Sequence, residues 1–369
     1  MRSVASTSSF AAGSADRCFR FARSKCPTNS LPFDVTRQYC LSSVWSRRSY
    51  VVGLKRTLAQ KAHPMMSTRP DATESTDTRP PSPAASPGRI GLIDASMTVA
   101  EAFVLLAESI CREALDRAHK LDRGADPEDL HKLRVAMRRL RTLWWAYDPL
   151  LDKHDAKLQR REFKSLADAA GRTRDWDVLH ELIAPAAPSS KHSFAWLIEA
   201  IEAHRTEALS FSLRAIGNAG VERILQQAVA AARAQLEAHG AGQPITGFAE
   251  ERVQVAEKAL KKRVKRAIAA KESDYGALHE VRIAGKKLRY LLQFFAPVLD
   301  GGHQAVIEHL TVVQDELGTL NDQVTSEALL REYAFQLGEA KRIKEAIAYL
   351  QKQTADHMHR VHEILCKEG

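Results

Sequence analysis

The chain has 369 residues, and its 54 Lys and Arg against 45 Asp and Glu give a formal charge of +9 at pH 7. A hydrophobic fraction of 44% is enough for a sizeable core and argues against global disorder. Five Cys without a C-x-x-C pair argue against a disulfide scaffold and against a thiolate zinc site. No apolar run reaches the roughly 18 residues that span a bilayer, so we expect no membrane partner.

The positive charge is unevenly distributed along the chain. Residues 1–89 carry 14 Lys and Arg against 5 Asp and Glu, whereas residues 90–369 carry 40 of each. A basic balance usually indicates an anionic partner, but here the excess belongs to the leader. Any functional inference about the neutral body must therefore rest on where its charges lie.

Three interpretations of residues 1–64 stay open. The segment is rich in Ser and Arg and poor in acids, as in an organelle transit peptide. Its Ser-Arg-Arg-Ser-Tyr run at 46–50 also hints at a twin-arginine export signal, although no apolar segment follows. Alternatively, Met65 is the true start. Residues 67–89 form a Pro/Ser/Thr linker that cannot bury enough apolar surface to fold, so residues 1–89 are set apart from the fold.

The body, residues 90–369, is predicted to be all-α. Apolar residues recur at three- and four-residue intervals in five long stretches, 96–122, 191–217, 219–238, 248–272 and 326–366. Gly and Pro place breaks near 124–127, 149, 185–188, 240–244 and 301–302. This pattern predicts about eight to ten helices and no sheet.

The body contains an internal duplication. Residues 126–151 match residues 274–299 at an offset of 148, with ten of 26 positions identical. Asp126 and Asp274 occupy expected N-cap positions, and Pro127 suits the first helical position.

A second shared element follows the duplicated helix. Residues 171–175 correspond to residues 318–322 at an offset of 147. The body is therefore predicted to consist of two similar halves, about 92–238 and about 245–366, which divide near 240–244.

The duplicated helix carries a cationic stripe in each half. The first stripe consists of His131, Arg134, Arg138 and Arg141, and the second of His279, Arg282, Lys286 and Arg289. At about 100° per residue, each set covers less than about a third of the helix circumference. Arg139 and Lys287 point to one side. Like charges at i,i+4 destabilise a helix, so this repeated clustering requires either acidic neighbours or a bound anion.

Residues on the opposite arc of each helix are predicted to face the core. They are Leu133, Ala136, Leu140, Leu143 and Trp144 in the first half, and Val281, Ala284, Leu288 and Leu292 in the second.

Further cations flank the stripes. Lys157, Arg160 and Lys164 follow the first duplicated helix, and Lys258, Lys261, Lys262, Lys265 and Arg266 precede the second. They either widen a basic channel or form ordinary solvated helix surfaces.

These residues resemble the CHAD family, the conserved histidine α-helical domain. The match consists of H-x-x-R-x-x-x-R/K-R/K-x-R in both halves and of R-D-x-D-V-L at residues 174–179, and it covers roughly residues 92–366. The resemblance implies two four-helix bundles related by a pseudo-twofold, with both stripes facing a shared basic cavity. It also implies inorganic polyphosphate as the partner and a cytoplasmic, granule-associated protein. Asn321 stands where the motif has Arg, which puts the ion pairing of that half in doubt.

The expected site residues follow from the stripes and this resemblance. Polyphosphate would be bound by His131, Arg134, Arg138, Arg139, Arg141, Arg160, Lys164, Lys262, Lys265, Arg266, His279, Arg282, Lys286, Lys287 and Arg289. Arg174, Asp175 and Asp322 would orient these cations. We expect His131 and His279 to donate hydrogen bonds and, when protonated, to add charge.

Other functions are weighed against binding. A phosphohydrolase is disfavoured because no E-x-E-x-K strand motif, P-loop or paired carboxylates are evident, so we expect no catalysis and no cofactor. A histidine metal site is disfavoured because arginines repel a divalent cation. Nucleic acid is disfavoured because no base-stacking aromatics interleave with the stripes. The oligomeric state stays open.

Overall fold

The computed structural model describes residues 93–124, 126–186, 194–239, 242–301 and 303–368. The leader and linker, residues 1–89, lie outside these ranges. The three interpretations of residues 1–64 therefore concern a segment outside the described residues.

The part of the chain that the structure describes is all-helical. It contains eleven α-helices and no β-strand: α1 (Val99–Leu121), α2 (Pro127–Ala146), α3 (Lys153–Ala169), α4 (Arg172–Ile183), α5 (Ala195–Asn218), α6 (Val221–His239), α7 (Ile245–Ala269), α8 (Tyr275–Phe295), α9 (His303–Glu332), α10 (Ala334–Leu337) and α11 (Ala340–Glu368). Short 3₁₀ turns follow α4 and α8 at Ala184–Ala186 and Ala296–Val298. The all-α prediction is confirmed, and the described residues form one helix more than the eight to ten expected.

Local sequence signals begin and end the two duplicated helices as expected. The Asp126 carboxylate accepts a hydrogen bond from the Glu128 N–H at 2.9 Å, and Pro127 is the first helical residue of α2. Asp274 caps α8 by accepting from the Ala277 N–H at 3.1 Å. The ends of both helices lie within three residues of the prolines at 149 and 297, since proline cannot continue the hydrogen-bond ladder.

The predicted stretch 326–366 is divided into three helices. Gly338 interrupts it with a φ of 127°, a backbone conformation that residues other than glycine rarely adopt. The backbone also passes so close to the Trp196 ring that a Cβ on Gly338 would lie 2.8 Å from a ring carbon. The apolar periodicity continues across this break, which is why the sequence pattern concealed it.

Equivalent helices of the two halves make equivalent contacts. Helix α2 packs between α1 and α3, and α8 packs between α7 and α9. The duplicated helices α2 and α8 also contact each other, as do α4 and α9.

The starts of α1 and α7 are joined by a reciprocal pair of backbone hydrogen bonds. The Val99 N–H donates to the Gln243 carbonyl at 2.9 Å, and the Ile245 N–H donates to the Met97 carbonyl at 3.1 Å. Each helix start thus satisfies a donor at the start of its counterpart, which holds the two halves in register.

The hydrophobic core does not divide at 240–244. One cluster combines α1, α2, α3 and α6 with the beginning of α7 and the end of α8. A second joins α4 and α5 to parts of α9, α10 and α11, and a third joins α7, α8, α9 and the end of α11. All nine residues predicted to back the stripes are buried. The halves therefore share their core, and each stripe is backed by apolar packing.

Candidate anion-binding site

The two cationic stripes meet in one place. Five of their residues form what we call the basic cluster: Arg134 and Arg138 of α2 with Arg282, Lys286 and Arg289 of α8. Arg134 and Arg282 are 1% and 2% exposed, and Lys286 and Arg289 are also buried. Helix periodicity alone defined two stripes, and only the family resemblance implied that they face one space; in the structure, residues of both come together because α2 and α8 are neighbours.

The cations of the basic cluster perturb one another. The pKa values of Arg134 and Arg282 are lowered to about 10, mainly by burial and also by repulsion from Arg138. Burial, followed by repulsion from Arg138, lowers the pKa of Lys286 well below its ordinary value. Charge here is held at a cost in free energy, and perturbed pKa values of this kind are common at functional sites.

Three carboxyl groups lie against the basic cluster. We call them the acidic group: Asp168 on α3, Asp175 on α4 and Asp322 on α9, all of which act electrostatically on Arg134. Burial raises the pKa of Asp175 to about 7; Arg134 opposes this shift, and Asp322 and Asp168 add to it. Asp175 and Asp322 are thus placed where orienting residues were expected, whereas Asp168 was missed.

The two histidines stand at equivalent places beside the cluster. Burial, with repulsion from Arg174 and Arg134, lowers the pKa of His131 to about 2. Burial and then Arg282 lower the pKa of His279, whose Nδ1 lies 3.2 Å from the Tyr275 hydroxyl oxygen. Both rings are neutral near pH 7 without a ligand, so they offer a hydrogen bond rather than charge.

Two glycines make room for the site. A Cβ on Gly171, at the start of α4, would lie 1.5 Å from Arg134 Nη1. A Cβ on Gly285 would lie 2.2 Å from the Gln314 amide nitrogen, which donates to the Arg282 carbonyl at 3.2 Å. The sequence pattern marked Gly171 as part of the shared element but did not show which side chain fills the space.

Several predicted cations are engaged by acids outside the cluster. Arg139 pairs with Glu113 at 2.6 Å, and Arg160 pairs with Asp148. Lys164 pairs with Asp168 of the acidic group at 2.6 Å.

Lys287 of α8 has a second set of basic neighbours near the end of α2. The Lys287 ammonium is 3.9 Å from the centroid of the Trp145 ring. Burial lowers the pKa of Lys287 to about 8, with repulsion from Arg263, Arg160 and Arg141. Arg141 thus acts electrostatically on Lys287 and also interacts with Arg138 of the basic cluster.

The cations predicted on α7 have a different setting. Lys262, Lys265 and Arg266 are exposed on the surface of this helix. The structure does not bring them into the buried cluster, because they occupy the outer face of α7.

The R-D signature is divided between two tasks. Arg174 pairs with Glu181 at 3.0 Å and with Asp177 at 3.8 Å, while Asp175 faces the basic cluster. In the second half, the Asn321 amide donates to the Thr325 hydroxyl at 3.2 Å instead. Asp322 keeps its place near Arg282, so the substitution removes an ion pair but not the acid.

The metal-site alternative gains no support from the described residues. Their one cluster with metal-ligand spacing is Asp152, His154 and Asp155, which is exposed at the start of α3. It includes neither His131 nor His279.

Among the described residues, no helix is both long and apolar enough to cross a membrane.

Comparison with known proteins identifies the family. The model of the CHAD domain matches residues 109–331, and the chain belongs to the CHAD family. A solved CHAD domain from the plant Ricinus communis is 24% identical with a TM-score of 0.64, and the match covers 76% of this chain and 97% of that one. PptA from Streptomyces chartreusis is 17% identical with a TM-score of 0.54, covering 74% and 99%. A search of curated proteins found no match. The two structures support the fold.

Proposed function

We propose that this protein binds inorganic polyphosphate through the basic cluster and does not catalyse a reaction on it. The observation that carries the proposal is the meeting of Arg134 and Arg138 with Arg282, Lys286 and Arg289, five cations from two duplicated helices in one buried site. Guanidinium and ammonium groups donate several charge-assisted hydrogen bonds to phosphate oxygens. A bound polyanion would offset the mutual repulsion that helps to lower the pKa values of Arg134, Arg138, Arg282 and Lys286.

The arrangement also supports a pseudo-twofold relation between the halves around a shared basic cavity. Helix α2 contacts its counterpart α8, and the starts of α1 and α7 exchange backbone hydrogen bonds. Such a relation would run the stripes of α2 and α8 alongside one another and present phosphate-binding groups from two sides. A linear chain of phosphates fits this geometry better than a single compact anion.

Burial favours polyphosphate over duplex nucleic acid. Arg134 and Arg282 are almost fully buried, so a ligand must be slender enough to enter between helices. A duplex carries its phosphates on a wide, stiff cylinder and would meet the exposed cations of α7 instead. We therefore propose polyphosphate as the ligand and polyphosphate granules as the location, as the resemblance to the CHAD family implies.

The test is capture of long-chain polyphosphate by full-length variants. Arg138→Gln and Arg282→Gln should each weaken binding at least tenfold, because a charge-assisted contact is lost at the centre of the site. The matched control is Arg233→Gln, since Arg233 is an exposed residue on α6 that pairs with Glu237 at 2.7 Å. Equal binding by the double cluster variant and the wild type would overturn the proposal.

The absence of catalysis is tested separately. With magnesium and polyphosphate, we expect no phosphate release from the wild-type protein above that of the Arg138→Gln/Arg282→Gln variant. Release that depends on these two arginines would instead make the protein a phosphohydrolase.

A further inference from the structure

Two buried tyrosines in this fold have opposite surroundings. The hydroxyl groups of Tyr147 and Tyr290 are both buried, and neither donates its proton to an acceptor among the described residues. Tyr147 is packed against Phe103 and Phe248 in the largest core cluster, and burial alone raises its pKa. A lone buried phenol of that kind is an ordinary feature of a hydrophobic core.

Tyr290 instead lies among arginines of the candidate site. Burial acts to raise its pKa, but the charges of Arg138, Arg289 and Arg139, with a hydrogen bond from Arg289, together outweigh burial and lower the pKa below the ordinary value. The guanidinium carbon of Arg289 lies 5.2 Å from the Tyr290 ring centroid. The hydroxyl oxygen is thus surrounded by hydrogen-bond donors.

A phenol among donors can accept hydrogen bonds, but its own proton has no acceptor. Guanidinium groups accept none, and a buried donor that remains unsatisfied costs free energy. A phosphoryl oxygen held by Arg138 and Arg289 would supply the missing acceptor. The corresponding residue of the first half is Thr142, whose hydroxyl donates to the Arg138 carbonyl at 3.2 Å. That position is therefore satisfied within its own helix, whereas Tyr290 is not.

We propose that Tyr290 is a phosphate-binding residue of this site, whose hydroxyl donates its proton to a phosphoryl oxygen that Arg138 and Arg289 also hold. The inference rests on the proposed function and extends it with a neutral donor that the charge pattern did not reveal. It also makes the two halves unequal, because α2 has Thr142 at the position equivalent to Tyr290.

The experiment compares Tyr290→Phe with Tyr147→Phe in the full-length protein, using long-chain inorganic polyphosphate as the probe. Loss of a hydrogen bond to a charged group should weaken binding roughly tenfold to a hundredfold in Tyr290→Phe, whereas Tyr147→Phe should bind as the wild type does. Because no charge is removed, the dependence of affinity on salt should keep its slope in Tyr290→Phe. An unchanged affinity in Tyr290→Phe would overturn the inference.

A second measurement follows ionisation of the phenol through its near-ultraviolet absorbance. Polyphosphate should shift a tyrosine titration of the wild type to higher pH, since phosphate neutralises the arginines that favour the phenolate. The shift should be absent in Tyr290→Phe and present in Tyr147→Phe. A shift that persists in Tyr290→Phe would count against the inference even if affinity fell. Failure of the wild type itself to bind would instead reject the proposed function.

Discussion

At the scale of single residues, the basic cluster depends on space as much as on charge. The Arg134 guanidinium occupies the volume that a side chain at residue 171 would need. Arg134 is 1% exposed, so it cannot swing into solvent to avoid a new atom. Glycine at 171 is therefore a condition for placing a cation between α2 and the start of α4.

Gly171→Ala should weaken polyphosphate binding about tenfold or more, because the Arg134 guanidinium must leave its place beside Asp175. The measurement is the dissociation constant with thermal unfolding in parallel. Gly318→Ala is the matched control at the equivalent position, where an added Cβ meets no atom within 4 Å. It should bind normally and be stabilised by up to about 1 kcal/mol through helix propensity. If Gly171→Ala bound polyphosphate as tightly as Gly318→Ala does, glycine at residue 171 would not be required for the site.

Asp175 should couple binding to protons. Its folded-state pKa is raised from 3.8 to about 7, so the folded protein binds this proton more tightly than the unfolded chain does. The contribution of Asp175 to stability is therefore present below about pH 4 and is lost as pH rises toward about 7. A bound polyanion would take Arg134 from Asp175 and raise its pKa further, so binding should take up protons.

We expect wild-type affinity for long-chain polyphosphate to fall between about pH 6 and pH 8, by up to about tenfold per pH unit for one proton. Asp175→Asn should bind more tightly at the upper pH and show a clearly flatter profile, since its side chain cannot ionise. The histidines can contribute a remainder, because an anion would also raise their depressed pKa values. A profile for Asp175→Asn as steep as that of the wild type would contradict this assignment.

At the scale of elements, the sequence predicted where helices begin better than it predicted which helices pack together. Asp126, Pro127 and Asp274 marked the starts of α2 and α8 because capping is a local interaction. The stripe directions followed from helix periodicity alone. What the sequence could not show was the tertiary partner of each cation: that Arg160 would meet Asp148 whereas Arg138 would meet α8. Such contacts depend on how helices pack.

The close approach of α2 and α8 should carry a cost in stability. Lys286 is buried beside Arg138, and burial lowers its pKa well below 10.5. The unfolded chain holds this proton more tightly, so stability rises as pH increases through the folded pKa toward 10.5. At any pH below 10.5, burial of this amine therefore destabilises the ligand-free fold.

Lys286→Met should therefore stabilise the ligand-free protein by about 1 kcal/mol or more while weakening polyphosphate binding. Chemical denaturation with and without polyphosphate measures both effects. The matched control is Lys261→Met on the exposed surface of α7, which should change neither by much. Loss of stability in Lys286→Met would show that the lysine supports the fold rather than the site.

At the scale of the whole molecule, location rather than amount of charge should govern binding. The body carries 40 basic and 40 acidic residues, so long-range attraction contributes little. If the five cations of the basic cluster contact phosphate, log affinity should fall with log salt with a slope of about −4, taking 0.7–0.9 per contact. Arg138→Gln should reduce the magnitude of that slope by about one.

The control raises the net charge without changing the cluster, by removing exposed acids elsewhere. Glu202 and Glu207 on α5 are two such residues. Glu202→Gln/Glu207→Gln should keep both slope and affinity, and an effect on slope comparable to that of Arg138→Gln would mean that net charge, not the cluster, drives binding.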